Sequence, residues 1–205
     1  MAKPSEIHLH VIRAAPTEWD AVGRCCGGSE LPCVESALLD RANAADLLPA
    51  AKVILHGDED ASRRTAQIIA SRMHIKSRSV AGTEEFRYGL WEGMQIEQLE
   101  ERYPTALAQW NDDPSSVIVP QGELLAEAQA RIVSSLAQAC AKAKETEIAV
   151  VLRPIAAALT LCWLNAQPIS QLWEQAKSLD IVAGPFTLDR AALRNVRTHS
   201  WAHSA

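Results

Sequence analysis

Two arginines stand at the ends of two aliphatic, strand-like runs of this 205-residue chain, and they are the first candidates for chemistry. Arg13 closes the run 7–13, and Arg153 follows the five aliphatic residues of 148–152. A pair of guanidinium groups suits phosphate and carboxylate oxygens, because each can present two parallel N–H donors. If both runs are neighbouring strands, the two arginines face one crevice and are expected to clamp an oxyanion.

The segment that follows Arg13 is predicted to be a ligand-facing loop. The strand stops at Ala14-Ala15-Pro16, where proline fixes φ and removes a backbone donor. Thr17, Asp20 and Arg24 then supply polar groups. In α/β proteins such loops carry ligand contacts, because they sit at the carboxyl ends of rigid strands.

Strands and helices alternate along the rest of the chain, which favours an α/β fold. The last clear central strand, Ile148–Leu152, is wholly aliphatic, as expected for a strand covered on both faces. Further strands are predicted at 51–56, 77–81, 181–183, 186–189 and 193–197. Helices are predicted at 36–48, 61–73, 124–144 and 154–164, with two short ones divided by Pro104 and another at Trp173.

Composition is that of an ordinary globular protein, since 48% of the residues are hydrophobic and 22% are charged, and the length suits one domain that can bury a proper core. A formal net charge of −5 gives no indication of a nucleic-acid partner. The N-terminal residues lack an apolar core, and Arg153-Pro154 interrupts the most apolar window. We therefore expect no signal peptide, no membrane partner and a cytoplasmic location.

Five cysteines are scattered through the chain, and no CxxC pair occurs. Cys25, Cys26 and Cys33 lack the spacing of common zinc sites, so we expect reduced thiols and no bound metal.

Several motifs in their order resemble the histidine phosphatase superfamily, the phosphoglycerate-mutase-like proteins. The first follows the opening strand, the second opens the helix predicted at 61–73 with its register fixed by Thr65-Ala66, and the third surrounds Trp91-Glu92-Gly93. Pro120-Gln121-Gly122-Glu123 matches a fourth, ahead of the long helix. The matching residues of the first and third motifs are Arg13, Thr17, Glu18, Trp19, Gly23 and Arg24, and Glu85, Tyr88, Gly89, Trp91, Glu92 and Gly93.

The resemblance also marks where the chain departs from the family. Ala14 occupies the position of the nucleophilic histidine, Arg153 that of the second histidine, and Ala61 that of a phosphate-binding arginine. Arg13 and Glu85 keep the family type, and Glu85 falls on the general acid/base. Asp20 stands at a phosphate-contacting asparagine position, which adds a negative charge.

From the resemblance we expect a three-layer, doubly wound α/β fold with a mostly parallel central sheet and helices on both faces. A single domain, 1–205, would carry an insertion or cap at about 83–122. Because Ala14 has no lone pair, the prediction is a catalytically inactive pseudophosphatase that serves as an anion-binding or regulatory module. Its vestigial or anion-binding site would comprise Arg13, Thr17, Asp20, Glu85 and Arg153.

Two alternatives stay open. One is a hydrolase with a remodelled site, in which Glu85 is the acid/base and Arg13 with Arg153 clamps the oxyanion. The other is a structural role, with the crevice closed by an Arg13–Glu85 or Arg153–Asp20 pair. His56, at the end of the second strand, is expected to be bound by a neighbouring carbonyl rather than to act as a catalyst. The expected partner is a small phosphorylated or other anionic molecule, without a cofactor, and a homo-oligomer is left open.

Overall fold

A five-stranded sheet forms the centre of the protein, whose computed structural model describes residues 5–196. The strands are β1 (Glu6–Arg13), β2 (Val53–His56), β3 (Lys76–Ser79), β4 (Glu147–Leu152) and β5 (Val182–Asp189). They lie in the order β3-β2-β4-β1-β5. β1 to β4 pair in parallel, and β5 runs antiparallel to β1 at the edge of the sheet.

Nine α-helices connect and cover these strands within the described range. They are α1 (Glu18–Ala21), α2 (Glu35–Arg41), α3 (Asp60–Met73), α4 (Ile96–Arg102), α5 (Pro104–Asp112), α6 (Leu125–Lys142), α7 (Pro154–Leu164), α8 (Leu172–Ser178) and α9 (Arg190–Arg194). A 3₁₀ segment, Ala42–Leu47, continues α2, so the helix predicted at 36–48 is present with a tighter second half.

The alternation of side chains along β4 creates two separate cores, because successive strand residues point to opposite faces. Ile148, Val150 and Leu152 pack in one core with residues of α6 and α7. Ala149 and Val151 pack in the other core, against α3 and the 3₁₀ segment. The prediction of a three-layer, mostly parallel α/β fold is therefore confirmed.

Residues 83–122, predicted to form an insertion or cap, carry α4 and α5 and an aromatic cluster. Trp110 stacks on Phe86 and lies edge-on to Trp91, and all three side chains are buried in the larger core. This segment is therefore anchored over one face of the sheet beside the ends of the strands. Its status as an insertion into a single domain stays a prediction.

The C-terminal part of the sheet differs from the sequence prediction. The runs 181–183 and 186–189 form one strand, β5, whose pairing with β1 shifts register between Leu9 and Val11. The strand predicted at 193–197 is wrong, since Leu193 lies in α9, while Arg197 is outside the described residues. The Asp189 carboxylate accepts a hydrogen bond from Ala192 N–H at 2.7 Å and so begins a helix there.

None of the helices within residues 5–196 has the length and apolarity that crossing a bilayer requires.

Candidate functional site

Ala14 lies just beyond the end of β1, where the carboxyl ends of the parallel strands meet. Its N–H donates to the Leu152 carbonyl at 2.8 Å, which ties the loop to the end of β4. The N–H of Ala15 donates to Thr65 Oγ1 of α3 at 2.9 Å. Both methyl groups are buried, Ala14 in the same core as Ile12. At the position that the resemblance assigns to the nucleophile, the chain therefore has a packed methyl group with no lone pair.

Arg153 occupies the residue before α7, and its side chain is only 1% exposed. Nη2 donates to both carboxylate oxygens of Asp20 at 3.1 Å and to the Cys26 carbonyl at 2.8 Å. Burial acts to lower the pKa of Arg153, but the negative charges of Glu85 and Asp20 raise it above its usual value. The predicted Arg153–Asp20 pair is confirmed, and the guanidinium is buried within the protein rather than open to a ligand.

Asp20 is held in place by Thr17 through a reciprocal cap on α1. Thr17 N–H and Oγ1–H donate to Asp20 Oδ2, both at 2.7 Å, and Asp20 N–H donates to Thr17 Oγ1 at 3.2 Å. Thr17 is fully buried, and its hydroxyl also contacts Cys26 Sγ at 3.4 Å. This capping box fixes the carboxylate in the orientation that receives the Arg153 guanidinium.

Glu85 is 2% exposed, and its carboxylate caps the first turn of α7. Oε1 accepts hydrogen bonds from Phe86 N–H and Ala156 N–H at 2.8 Å, and Oε2 accepts one from Ile155 N–H at 3.0 Å. Burial raises the pKa of Glu85 to about 7, against the opposing effects of the Arg153 charge and the backbone donors. The alternative Arg13–Glu85 pair is wrong, because the helix N-terminus takes up the carboxylate oxygens instead.

Ala61, at the position of the family arginine, is buried in a small apolar cluster with Ala15 and Leu38. Neither neighbouring arginine replaces it. Arg63 donates to the Asp60 carboxylate at 2.7 Å and to the Asp58 carbonyl at 3.0 Å. Arg64 donates to the Glu35 carboxylate of α2 at 2.8 Å. The crevice therefore receives no cation from this helix.

Glu59 belongs to the site although the sequence analysis did not single it out. Its Oε1 accepts a hydrogen bond from Glu85 N–H at 2.6 Å, and burial raises its pKa. In the sequence, Glu59 is marked only by its place in the acidic run 58–60, which follows β2 and Gly57. Such a run is equally typical of residues that complement a helix dipole. Glu59 also lines the cavity beside Glu85.

This cavity, of about 270 Å³, is acidic. Arg131, one of its two arginines, is already bound to Glu123 at 2.8 Å and to Glu84 at 3.3 Å. Phosphate is repelled by such a surplus of carboxylates. The charged residues of its lining are Glu30, Asp58, Glu59, Glu84, Glu85, Arg87 and Arg131.

The Arg13 side chain does not lie beside the Arg153 side chain in the crevice. It lies in a different pocket with Trp173 and Lys177 of α8, and within residues 5–196 no group accepts a hydrogen bond from its guanidinium. The prediction that Arg13 and Arg153 together clamp an oxyanion is therefore wrong. Arg13 points to the same face of the sheet as Val11, two residues earlier, whereas Arg153 turns toward Asp20 of α1.

The family-like residues around Trp91 have packing roles. Trp91 is buried, and Glu92 accepts hydrogen bonds from Gly27 N–H and Ser29 N–H at 3.0 and 3.1 Å. Gly93 has a φ of 75°, and a Cβ at this residue would lie 2.8 Å from the Trp19 ring. His56 contacts the Gly57 carbonyl through Nδ1 at 2.7 Å, as expected for a structural histidine. In the described part of the chain, no three His, Cys, Asp or Glu side chains are grouped to hold a metal ion.

Comparison with known proteins places this architecture in a family. The curated phosphoserine phosphatase 1 of Hydrogenobacter thermophilus is 26% identical over 172 residues, which cover 82% of this chain and 80% of that protein. The solved structure of YhfR from Bacillus stearothermophilus superposes with a TM-score of 0.75 at 19% identity, over 82% of this chain and 84% of YhfR. A mycobacterial glucosyl-3-phosphoglycerate phosphatase superposes with a TM-score of 0.71 at 19% identity, over 82% and 83% of the two chains.

The family profile described as histidine phosphatase superfamily (branch 1) matches residues 9–181, from β1 to the residue before β5. Because this match spans most of the chain, the protein belongs to the histidine phosphatase superfamily.

Proposed function

We propose that this protein is a non-catalytic member of its superfamily, a pseudophosphatase whose former catalytic crevice is closed by its own side chains and which serves as a regulatory module. One observation carries the proposal. The guanidinium of Arg153, at the position of the second family histidine, is buried on Asp20 and the Cys26 carbonyl.

The chemistry of phosphoryl transfer supports this conclusion. The reaction needs a nucleophile next to phosphorus and cations around the oxygens that carry its charge. Ala14 supplies no nucleophile, Ala61 supplies no cation, and the charge of Arg153 is neutralised by Asp20. Loss of the nucleophile alone typically reduces the rate by about 10⁴–10⁶ when the remaining site is intact.

The surviving family residues support the same reading, because each has a structural partner. Glu85 caps α7 with both oxygens, and Thr17 and Asp20 cap α1. A side chain that stabilises a helix end is retained whether or not the protein turns over a substrate. Retention of these residues is therefore compatible with the absence of catalysis.

A phosphatase assay tests the proposal. The purified protein would be incubated with 4-nitrophenyl phosphate, and with phosphoserine, the substrate class that the Hydrogenobacter relative's name indicates. Phosphorylated protein would be sought in parallel by acid-labile labelling. We expect hydrolysis at the background level and no phosphohistidine. Turnover that persists through repeated purification, or an acid-labile adduct on any side chain of the crevice, would contradict the proposal.

A hydrolase with a remodelled site is the second candidate, and one observation favours it. Glu85 borders the 270 Å³ cavity with a pKa of about 7, suited to general acid or base chemistry near neutral pH. Glu85→Gln would abolish such an activity, whereas the exposed Glu97→Gln would leave it unchanged. A rate that is equal in both variants identifies a contaminating phosphatase and removes this candidate.

A small phosphorylated or other anionic molecule remains the proposed partner of the module. The contacts of Arg153 and the acidic cavity argue against its binding in the vestigial catalytic crevice. A binding site for such a molecule therefore has to be sought elsewhere on the protein.

A further inference from the structure

An open pocket of about 500 Å³ lies between β1, α5 and α8, outside the vestigial crevice. We name it the Arg13–Trp173 pocket, and its lining is Arg13, Asn111, Trp173, Ala176 and Lys177. Apart from Arg13, no residue of the family's catalytic set contributes to it. The volume falls within the range of ordinary small-molecule sites.

The cations of this pocket lack strong partners of their own. Within residues 5–196 the Arg13 guanidinium has no hydrogen-bond acceptor or carboxylate within ion-pair distance. Lys177 has one loose contact, at 3.7 Å with Glu174, and both of these side chains are more than 70% exposed. Exposed pairs of this kind contribute little and are readily exchanged for another anion.

Arg13 differs in this respect from three arginines of the crevice and α3. Arg63, Arg64 and Arg153 each donate to a carboxylate. In a protein with a formal net charge of −5, a strand-end arginine without such a partner is available to an incoming anion.

A further cation lies close by. Burial, followed by the positive charge of Arg13, lowers the pKa of Arg41, and the charges of Asp180 and Asp40 oppose this shift. The Arg41 Nε is buried without a hydrogen-bond partner in the described structure. An anion bound at Arg13 would therefore also relieve repulsion between two guanidinium groups.

The apolar wall of the pocket is rigid. Trp173 Nε1–H donates to the Trp110 carbonyl at 2.6 Å, and the two indole rings lie edge-to-face with centroids 5.4 Å apart. Ala176, one turn along α8, leaves space beside the ring. A fixed aromatic surface next to two cations suits a ligand that joins an apolar, planar part to an anionic group.

We propose that the Arg13–Trp173 pocket binds a small organic anion, with its phosphate or carboxylate group on Arg13 and Lys177 and its apolar part against Trp173. Because this inference assigns a ligand class to the regulatory role proposed above, it rests on the proposed function to that extent. Its residues and its test are nevertheless separate from those of catalysis.

The test is an NMR titration of the ¹⁵N-labelled full-length chain with phenyl phosphate, benzoate, inorganic phosphate and benzylamine. We expect phenyl phosphate or benzoate to shift the Trp173 indole and Arg13 Nε–H signals in a saturable manner. Which of the two binds more tightly distinguishes a phosphate ligand from a carboxylate ligand. Inorganic phosphate, which lacks the apolar part, should bind at least about tenfold more weakly, and the cationic benzylamine should leave these signals unchanged.

Arg13→Gln and Lys177→Gln provide the decisive variants. Each should weaken binding by roughly tenfold or more, as expected when a charge-assisted hydrogen bond is removed. Arg87→Gln, in the acidic cavity, is the matched control and should bind as the wild type does.

Three results would overturn the proposal: no saturable shift with either aromatic anion at tens of millimolar, undiminished binding by Arg13→Gln, or shifts centred on Gly27 and Glu85 instead. Each would leave the proposed lack of catalysis intact, because that depends on turnover and adduct formation. Conversely, phosphatase activity with normal binding in this pocket would refute the proposed function alone.

Discussion

Replacement of Arg153 by methionine tests whether its guanidinium holds the closed crevice together. The side chain is 1% exposed and donates three hydrogen bonds, two to Asp20 and one to the Cys26 carbonyl. Methionine keeps much of the volume but leaves the carboxylates of Asp20 and Glu85 without a cation. Removal of one partner from a buried ion pair costs about 3–5 kcal/mol. We expect Arg153→Met to lower the free energy of unfolding by that amount at pH 8.5.

The pH dependence of this loss follows from Glu85. Burial raises its pKa from the ordinary 4.5 to about 7, so the folded state binds the proton more tightly than the unfolded state does. The stability that protonated Glu85 contributes is fully present below about pH 4.5 and is lost as the pH rises through 7, by about 3–4 kcal/mol at 1.4 kcal/mol per unit. Arg153 opposes the shift, so its removal raises the pKa of Glu85 further and extends the loss to higher pH.

Urea unfolding at pH 5.5, 7.0 and 8.5 measures these quantities. Arg153→Lys is the matched variant, because it keeps the charge and loses the guanidinium Nη2 that donates to Asp20 and to the Cys26 carbonyl. We expect the lysine variant to be destabilised by a similar amount at all three pH values, and the methionine variant to lose most at pH 8.5. A double-mutant cycle with Asp20→Asn isolates the pairwise coupling. A methionine penalty below about 1 kcal/mol at pH 8.5, or one equal to that of lysine throughout, would refute the reasoning.

Three further predictions concern separate features. The ¹³C signal of the Glu85 carboxyl should titrate with a midpoint near 7 and disappear in Glu85→Gln, because burial disfavours its charged form. Gly93→Ala should lower the free energy of unfolding by about 2 kcal/mol in thermal melts, since φ is 75° and a Cβ would lie 2.8 Å from the Trp19 ring. The double variant Ala14→His with Ala61→Arg should form no phosphohistidine on incubation with acetyl phosphate, because Arg153 stays bound to Asp20 in the crevice.

Different results would contradict each of these. A Glu85 midpoint at or below 4.5 would mean that the three backbone donors outweigh burial. Gly28 has a Cβ direction open to solvent, so Gly28→Ala should stay within about 0.5 kcal/mol of the wild type, and an equal loss in both glycine variants would argue against the Trp19 contact. Labelled histidine in the double variant would mean that the pocket is less altered than the Arg153–Asp20 contact implies.

The sheet could be predicted from sequence because its signals are local. Five consecutive aliphatic residues at 148–152 have to be covered on both faces, and the structure places them in two opposite cores. The last helix could not be separated from a strand in this way. Residues 193–197 are too few for a period to emerge, and the side chain of Asp189, which lies before this run, determines the helix start.

Within the site, the sequence predicted an ion pair that depends on opposite charges. It did not predict contacts that depend on the direction in which a side chain points. An acid and an arginine facing one crevice were expected to pair, and Arg153 and Asp20 do so across 133 positions of sequence. The direction of Arg13 depends on the register of β1, and a change of one residue would turn it to the other face. The contact of Glu59 with Glu85 N–H joins two loops 26 residues apart, and no local pattern encodes it.

The proposed lack of catalysis is compatible with an intact fold, because Glu85 makes structural contacts that do not depend on turnover. Glu85 falls on the acid/base position of the family, yet here its oxygens satisfy backbone N–H groups at the start of α7 that would otherwise be buried without partners. The side chain of Ala14, at the position that the resemblance assigns to the nucleophile, caps no helix and packs as a methyl group. A histidine that only performs chemistry can therefore be lost at little cost in stability, whereas a carboxylate that also caps a helix is retained. Under the proposed lack of catalysis, the contribution of Glu85 to the stability of α7 is sufficient to explain its presence.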